Sequence, residues 1–385
     1  MMRFPLSFLV AFAAFGTSAF AETPGVSQSE VLFGQTAAIK GPAQALGLGM
    51  RHGISAAFEE ANRTGGIHGR KLILTTLNDS YEPEAAIENT KRLISTDKVF
   101  ALIGSVGTPT SRASEPIASQ HGVPFIGSFT GAEFLRRPYR PTVINIRASY
   151  FQETEELVDR LTSELGVRRI AVFYQDDSYG RAGLAGVRAA LHRRKMKLVS
   201  EGTYIRNTVA VKTALLTILQ GNPQAVIIIG VYQASATFTK WARKIGLDAL
   251  IANVSFVGST ALAAELGPAG KGVVVSQVVP FPEDNALPLI NDYRQALQQF
   301  DKTAAGFVSL EGYLVGRVTI EALERVGPDL TRKSFLETFT SGKPFDIGGL
   351  RLTYGLDDNQ GMDTVFLTVI DETGRLAPIS RLSKP

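Results

Sequence analysis

The segment from Val99 to Gly131 constrains the fold of this chain more than any other. It begins with an apolar run, Val99–Gly104, followed by a small polar turn and a helical stretch that extends to Gln120. A second apolar run, Val123–Ile126, ends in another small polar turn. In an open parallel sheet, two such turns lie side by side at the carboxyl edge, where these folds bind ligands. The turns offer hydroxyl and backbone N–H groups but no Cys, His, Lys, Asp or Glu, so they suit holding a small molecule rather than transforming it.

Apolar runs alternate with helical patterns along most of the chain, which predicts strand–helix–strand units and parallel sheets. The rhythm occurs twice, over residues 31–146 and 169–278. Val226–Ile229 is apolar without alternation, as expected for a strand covered by helices on both faces. The candidate strands are Val31–Ala37, Lys71–Leu77, Val99–Ile103, Val123–Ile126, Thr142–Ile146, Arg169–Tyr174, Lys197–Gly202, Ala225–Ile229, Leu250–Val254 and Gly272–Val278.

We therefore expect an α/β protein of two doubly wound lobes that are joined by a multi-crossing hinge. Several crossings would restrict the lobes to a hinge motion. The predicted N-terminal lobe comprises residues 22–147 plus 279–346, and the C-terminal lobe comprises 148–278 plus 347–385. The predicted crossings are Ile146–Ser149, Val278–Phe281 and Phe345–Gly349. Two helical stretches, Leu287–Phe300 and Leu310–Arg325, precede strand-like segments at Gly349–Thr353 and Thr364–Ile370.

Residues 1–21 have the pattern of a cleavable signal peptide. Arg3 precedes an apolar run, Leu6–Phe15, that is too short to span a bilayer, and Ala19-Phe20-Ala21 resembles a cleavage site. Cleavage after Ala21 would start the mature chain at Glu22. We therefore expect an exported, periplasmic protein without an integral membrane segment after cleavage.

The composition excludes several classes of chemistry. The chain has no Cys among 385 residues, which removes disulfides, thiol catalysis and Cys-ligated zinc. The formal charge is +4, and the basic clusters 136–140 and 192–195 are too short to predict nucleic-acid binding. No pair among the four His has metal-ligand spacing, and there is no nucleophile elbow or phosphate loop. We expect no catalytic residues, no metal and no cofactor.

Three local motifs point to a binding cleft. Thr108 and Pro109 are predicted as N-cap and first helical residue, and the Thr108 hydroxyl either only caps the helix or also helps its free N–H groups hold a carboxylate. Asp176 or Asp177 is predicted to cap a helix of the second lobe, where Tyr179 would face the cleft. Gly47 and Gly49 lie where a dinucleotide fingerprint would begin, but its third glycine is replaced by a histidine.

A series of motifs resembles the leucine/isoleucine/valine-binding family, the substrate-binding proteins of branched-chain amino acid ABC transporters. The resemblance covers nearly the whole mature chain and implies the type I periplasmic binding protein fold. The matching pieces are Gly41-Pro42, the segment 62–72, Asn78-Asp79 with Pro83, Ile103-Gly104, Tyr179-Gly180 and the segment 241–247.

The resemblance also implies ligand-binding residues. It places the carboxylate of the ligand against Thr108, Phe129 and Thr130, with Tyr150 nearby and with Tyr179 and Tyr232 closing from the second lobe. Ser255 stands where the family commonly has an acid that pairs with the ligand's ammonium. Asp177 or Glu311 could substitute for that acid, or the ligand could have no amine. A disulfide common in the family is absent here, so Tyr81 could instead reach the pocket.

The function implied is that of a receptor, rather than an enzyme, that delivers a small carboxylate to the membrane permease of an ABC importer. By family the ligand is an amino acid with a hydrophobic or branched side chain, and the receptor is a monomer. An aromatic carboxylate or amide, a sensor role and, least favoured, an exported α/β hydrolase are the alternatives.

Overall fold

The computed structural model describes residues 23–302 and 304–383, so the predicted signal peptide lies outside the described residues. The first sheet has the strand order β2-β1-β3-β4-β5, and every pairing within it is parallel. Its strands and the helices between them are β1 (Glu30–Ala37), α1 (Gln44–Arg63), β2 (Lys71–Asn78), α2 (Pro83–Ser95), β3 (Ala101–Ile103), α3 (Thr108–Gln120), β4 (Phe125–Ile126) and β5 (Val143–Ile144).

The second lobe repeats the pattern around a second parallel core. Its elements up to the return to the first lobe are α4 (Tyr150–Ser163), β6 (Ile170–Gln175), α5 (Ser178–Arg193), β7 (Ser200–Tyr204), α6 (Lys212–Gln220), β8 (Ala225–Ile229), α7 (Tyr232–Lys244), β9 (Leu250–Asn253), α8 (Ser259–Leu266) and β10 (Val274–Gln277). All five residues of β8 are buried, which confirms the strand covered on both faces that the sequence predicts.

The last third of the chain adds helices to the first lobe and edge strands to the second. The remaining elements are α9 (Pro288–Phe300), α10 (Phe307–Val326), α11 (Arg332–Thr340), β11 (Phe345–Ile347), β12 (Leu350–Leu352), β13 (Phe366–Ile370) and β14 (Leu376–Ile379). β13 pairs antiparallel with β10 and β14 pairs antiparallel with β13, which gives the second sheet the order β14-β13-β10-β9-β8-β6-β7. β11 and β12 form a separate hairpin.

The helices α1 and α10 pack together through small residues. A Cβ at Gly53 would lie 2.0 Å from the Ser309 carbonyl oxygen, and one at Gly312 would lie 2.5 Å from the Met50 carbonyl oxygen. Only glycine allows the two backbones to approach this closely. Gly47 serves a similar purpose, because its Cβ would lie 2.0 Å from the Ala38 carbonyl oxygen. The glycines of this helix therefore have a packing role, which accounts for them without a dinucleotide.

The chain segment after β5 and the segment before β13 pair with each other. Asn145 N donates to Asn359 O at 2.8 Å, and Gly361 N donates back to Asn145 O at 2.9 Å. Neighbouring strands of this kind can bend together but resist sliding, which favours a hinge motion. The lobe boundaries derived from the sequence stay a prediction. Within the described part of the chain, no helix is both long and apolar enough to cross a membrane.

Candidate functional site

The two small polar turns of the first lobe meet at the carboxyl edge of its sheet, as the sequence predicts. Val106 and Phe129 form an isolated parallel bridge, with Phe129 N donating to Ser105 O at 2.8 Å. Gly107 N donates to Phe129 O at 3.1 Å. This pairing extends the ladder between β3 and β4 past their ends and fixes both turns on the floor of the cleft.

Thr108 is placed differently from its predicted role as N-cap. Gly107 is the N-cap of α3, Thr108 is the first helical residue, and no side chain caps this helix. The physical reason is the positive φ of Gly107, 105°, a conformation that L side chains rarely adopt. The Thr108 hydroxyl instead lies 2.7 Å from the Thr130 hydroxyl. It is therefore directed across the two turns rather than at its own helix.

Tyr81 reaches the same place from the loop after β2. Its ring packs on Gly107, where an added Cβ would lie 2.2 Å from a ring carbon. Ser80 and Tyr81 both have positive φ, 51° and 65°, and Asp79 holds this turn by accepting from Tyr81 N at 2.8 Å. Such backbone costs about 1–2 kcal/mol per residue, so the loop is held in shape by its contacts. Burial raises the pKa of Asp79 to about 6.

Aromatic side chains from both lobes close over these turns. Phe256, which follows β9 in the second lobe, has its ring centroid 5.2 Å from that of Phe129 and 6.1 Å from that of Tyr81, both in the first lobe. Tyr179 lies 4.5 Å from Phe256 and 5.5 Å from Tyr150. All five side chains are at most 1% exposed. The lobes are thus closed on each other, with an aromatic lining between them.

Tyr150 connects the aromatic lining to the polar turns. It begins α4, directly after the N-cap Ser149, which forms a capping box with Gln152. Its hydroxyl accepts from Thr130 Oγ1 at 3.3 Å. Burial raises the pKa of Tyr150 to about 12, so the hydroxyl stays protonated and can donate a hydrogen bond to an anion. Thr108, Thr130 and Tyr150 together form a cluster of three hydroxyl groups, below called the hydroxyl cluster.

A buried ion cluster lies beside the aromatic lining. Arg147, in the segment between β5 and α4, donates through Nη2 to Glu153 at 2.7 Å and also to the Ser255 hydroxyl. Its Nη1 lies 3.6 Å from a carboxylate oxygen of Glu311. The guanidinium also lies over the ring of Phe129, 5.2 Å from the centroid. Arg147 therefore contacts both lobes at once.

The charges of this cluster are held by burial and by each other. Burial raises the pKa of Glu311 to about 7, although the nearby Arg147 opposes this shift. Burial lowers the pKa of Arg147, but the two glutamates more than offset this, so its pKa is raised overall. Burial lowers the pKa of Arg136 to about 10, and Arg136 Nη2 donates to Arg147 O at 3.0 Å. Glu311 is thus the member of the cluster whose charge changes near neutral pH.

Several buried polar groups at the cleft have no hydrogen-bond partner. Among the described residues, these include the hydroxyls of Ser105 and Ser128, which belong to the two polar turns, and Nε and Nη1 of Arg147. A buried polar group without a partner costs about 1–3 kcal/mol. Groups left in this state at one cleft favour a ligand that supplies the missing partners.

Hydrogen bonds across the rim of the cleft join the two lobes. Arg206, which follows β7, donates to Glu82 at 2.6 Å in the first lobe and to Asp177 at 3.1 Å in its own lobe. Asn207 Nδ2 donates to Glu82 at 2.7 Å and to Ser80 O at 3.1 Å. We call these four bonds of Arg206 and Asn207 the rim latch. Asp177 also caps α5, accepting from Tyr179 N at 2.9 Å, as one of the two sequence alternatives predicts.

The structure brings most of the sequence-predicted residues together. Thr108, Phe129, Thr130, Tyr150 and Tyr179 share one cleft, and Ser255 contacts the ion cluster beside it. Tyr232 lies elsewhere on the boundary between the lobes: it begins α7 of the second lobe, is buried, and has its hydroxyl near the backbone of Ala45 in the first lobe.

Sequence reasoning missed Arg147, Glu153 and Phe256. Arg147 is the only charged residue in the predicted crossing 146–149, which is a usable signal. Phe256 adjoins Ser255, which was singled out. Glu153 is one of several acids on an amphipathic helix and offers no such signal. Within residues 23–302 and 304–383, no group of three or more His, Asp or Glu side chains is arranged to hold a metal ion.

Two α/β lobes that enclose a polar and aromatic cleft define a ligand-binding protein that closes around a small molecule. The sequence matches the periplasmic binding protein family over residues 30–375, and the chain belongs to this family. Its fold class and its identification with the leucine/isoleucine/valine-binding type are thereby confirmed.

Three relatives illustrate the similarity. The crystal structure of a possible leucine/isoleucine/valine-binding protein from Rhodopirellula baltica is 38% identical, with a TM-score of 0.88 over 92% of this chain and 97% of that one. A substrate-binding periplasmic protein from Ralstonia solanacearum is 26% identical, with a TM-score of 0.85 over 91% of this chain and 100% of that one. A Leu/Ile/Val-binding protein homolog of Brucella melitensis is 24% identical over 87% of this chain and 91% of its own length.

Proposed function

We propose that this protein is the periplasmic receptor of an ABC importer and binds a small carboxylate with an apolar side between its lobes. The single observation that carries this is the hydroxyl cluster on the turns that begin α3, covered by aromatic rings from the second lobe. The relatives named for leucine, isoleucine and valine support a ligand of this size and polarity.

The hydroxyl cluster suits a carboxylate for two reasons. The start of α3 presents free backbone N–H groups and the positive end of the helix dipole, both of which favour an anion. The hydroxyl cluster adds a donor from the side, because two of its three hydroxyl hydrogens are used within the cluster and one is left for the ligand. The apolar remainder of the ligand would then lie against Phe256 and Tyr179, where burial contributes about 25 cal/mol per Å² of apolar surface.

The accompanying proposals concern the protein's place and partners. We propose export through the signal peptide, a monomeric receptor, and recognition of the closed form by a membrane permease. We propose no catalysis at the cleft, because its polar groups bind and orient rather than supply a nucleophile with an activating base. A sensor that passes the closed form to a signalling protein would use the same cleft.

The test is a screen of amino acids, their α-keto acids and aromatic acids by thermal shift, followed by calorimetry. A ligand at 100-fold its dissociation constant stabilises the folded protein by about 2.7 kcal/mol, which such a screen detects. Thr108→Val should weaken binding of any carboxylate hit by about 1.5–3 kcal/mol, the worth of a hydrogen bond to a charged group. The matched control is Thr217→Val on α6, whose hydroxyl bonds to its own helix.

Equal affinity of Thr108→Val and the wild type would show that the carboxylate lies elsewhere. Hydrolysis of an ester or amide substrate in a separate turnover assay would instead support the hydrolase alternative.

A further inference from the structure

Two nitrogen atoms of the Arg147 guanidinium have no hydrogen-bond partner at the cleft. Its side chain is 1% exposed, and Nη2 alone makes its side-chain hydrogen bonds, to Glu153 and Ser255. Nε and Nη1 have no hydrogen bond, and the 3.6 Å between Nη1 and Glu311 is too long for one. The same guanidinium lies over the rings of Phe129 and Tyr150, 5.2 and 5.8 Å from their centroids. An oxygen of a bound molecule in this cleft could accept the free N–H groups.

The nearest acid to Arg147, Glu153, already accepts hydrogen bonds from protein donors. One oxygen of Glu153 accepts from Arg147 and from the Ser255 hydroxyl, and the other accepts from Ser255 N at 2.8 Å and Ser276 Oγ at 2.6 Å. Its lone pairs are thus used by four protein donors. Glu311, the second acid of the cluster, lies 3.6 Å from Nη1, close enough for charge attraction but without a hydrogen bond.

Arg147 needs acceptors for its free N–H groups rather than a second cation. The ammonium of an amino acid can only donate hydrogen bonds, so beside this guanidinium it would leave Nε and Nη1 unpaired. A buried charge without a partner is costly, whereas a neutral oxygen acceptor there satisfies donors that otherwise stay unpaired.

We propose that Arg147 donates to an uncharged oxygen of the ligand, so that the preferred ligand is a small apolar α-keto or α-hydroxy acid rather than the corresponding amino acid. This rests on the proposed function, because it takes the ligand's carboxylate to lie at the hydroxyl cluster. Arg147 is then the residue that determines specificity at the α-carbon, and the aromatic lining accepts the side chain.

The experiment compares three probes that differ only at the α-carbon: L-leucine, its keto acid α-ketoisocaproate, and isocaproate, which has neither group. An aromatic set, L-phenylalanine, phenylpyruvate and phenylpropionate, covers a larger side chain. Calorimetry on the full mature protein gives each dissociation constant at one pH. In the probe set whose side chain fits the cleft, we expect the keto acid to bind roughly 10-fold or more tightly than the amino acid. It should also bind several-fold more tightly than the unsubstituted acid.

The possible outcomes distinguish failure of the inference about Arg147 from failure of the proposed function. If the amino acid binds as tightly as the keto acid or more tightly, the inference about Arg147 is overturned while the proposed function stands. If the keto acid and the unsubstituted acid bind equally, the hydrogen bond from Arg147 is refuted. If none of the six probes binds, the proposed function itself fails, and the inference with it.

A variant separates the hydrogen bond from the charge. Arg147→Lys keeps the positive charge but loses the planar fork of donors, so the keto acid should lose its advantage over the unsubstituted acid. The matched control is Arg181→Lys, an exposed arginine paired with Asp176 within the second lobe, which should leave the ratio unchanged. Should Arg147→Lys not fold, the ratios measured on the wild type decide the question alone.

Discussion

From the rim latch we predict that Glu82, an acid outside the ligand site, affects the affinity for the ligand. Glu82 accepts hydrogen bonds from Arg206 and Asn207, which both belong to the opposite lobe. These bonds exist only when the lobes are closed. Glu82→Gln removes the charge while keeping the size of the side chain, so it should weaken the closed form without altering any group in the aromatic lining.

The expected size of the effect follows from exposure. The Glu82 side chain is 43% exposed and that of Arg206 is 21% exposed, so solvent screens the pair. Such pairs contribute about 0.2–1 kcal/mol, and the second bond from Asn207 places Glu82 at the upper end of that range. A closed form destabilised by about 1 kcal/mol binds its ligand roughly fivefold more weakly, since closure is part of the binding equilibrium.

The assay is calorimetry for the dissociation constant and stopped-flow fluorescence for the release rate, on whichever acid the screen identifies. The fivefold loss should lie mainly in faster release, because the latch acts after the ligand has entered. Asp176→Asn is the matched control, since it breaks a rim ion pair with Arg181 at 2.7 Å that lies within one lobe. If both variants have the same affinity, the latch does not stabilise the closed form and the reasoning is refuted.

Three further predictions concern pH, closure and export. Burial raises the pKa of Glu311 to about 7, above the ordinary value of 4.5, so its contribution to stability is fully present below pH 4.5 and is lost as the pH rises through 7. The loss amounts to about 3 kcal/mol, and Glu311→Gln should flatten this part of a denaturant-measured stability profile, leaving the similar but smaller contribution of Asp79. Small-angle scattering should show a smaller radius of gyration once a ligand binds, and an unchanged radius would count against the hinge unless the free protein is already closed. Mass spectrometry of a periplasmic extract should find a chain that starts at Glu22, and an intact leader on cytoplasmic protein would contradict export.

Much of the fold could be predicted because its signals are local. The ten candidate strands all have counterparts, and β8 has the predicted bounds, Ala225–Ile229. Some bounds differ where hydrogen bonding to a neighbour decides them. The predicted strand Lys197–Gly202 is observed as Ser200–Tyr204, because β6 pairs with it from Ala171↔Ser200 to Gln175↔Tyr204. Such register depends on a partner strand and is not visible in the segment itself.

The candidate site was predictable only on the side built from local turns. Thr108 and Thr130 belong to turns whose small polar residues predict a binding edge. The predicted role of Thr108 as N-cap was wrong, because a glycine with positive φ, Gly107, takes that position. The ion cluster could not be derived this way. Arg147 contacts Glu153, which is six positions away in the sequence, and Ser255, which is 108 positions away. Glu311 lies on α10, which the chain forms only after the parallel strands of the second lobe. Pairing at such separations depends on the tertiary fold.

The position of the ion cluster links its charge to the motion of the lobes. Arg147 lies in a segment that joins the lobes, Ser255 belongs to the second lobe, and Glu311 lies on α10 of the first. Opening the cleft would separate these groups and expose them to water, whereas closing it must remove water from all of them. Desolvating paired charges can cost more than their attraction returns, so closure without a ligand is opposed. A ligand that satisfies the free donors of Arg147 offsets part of that cost, and only differential affinity of this kind can shift the lobes toward the closed form.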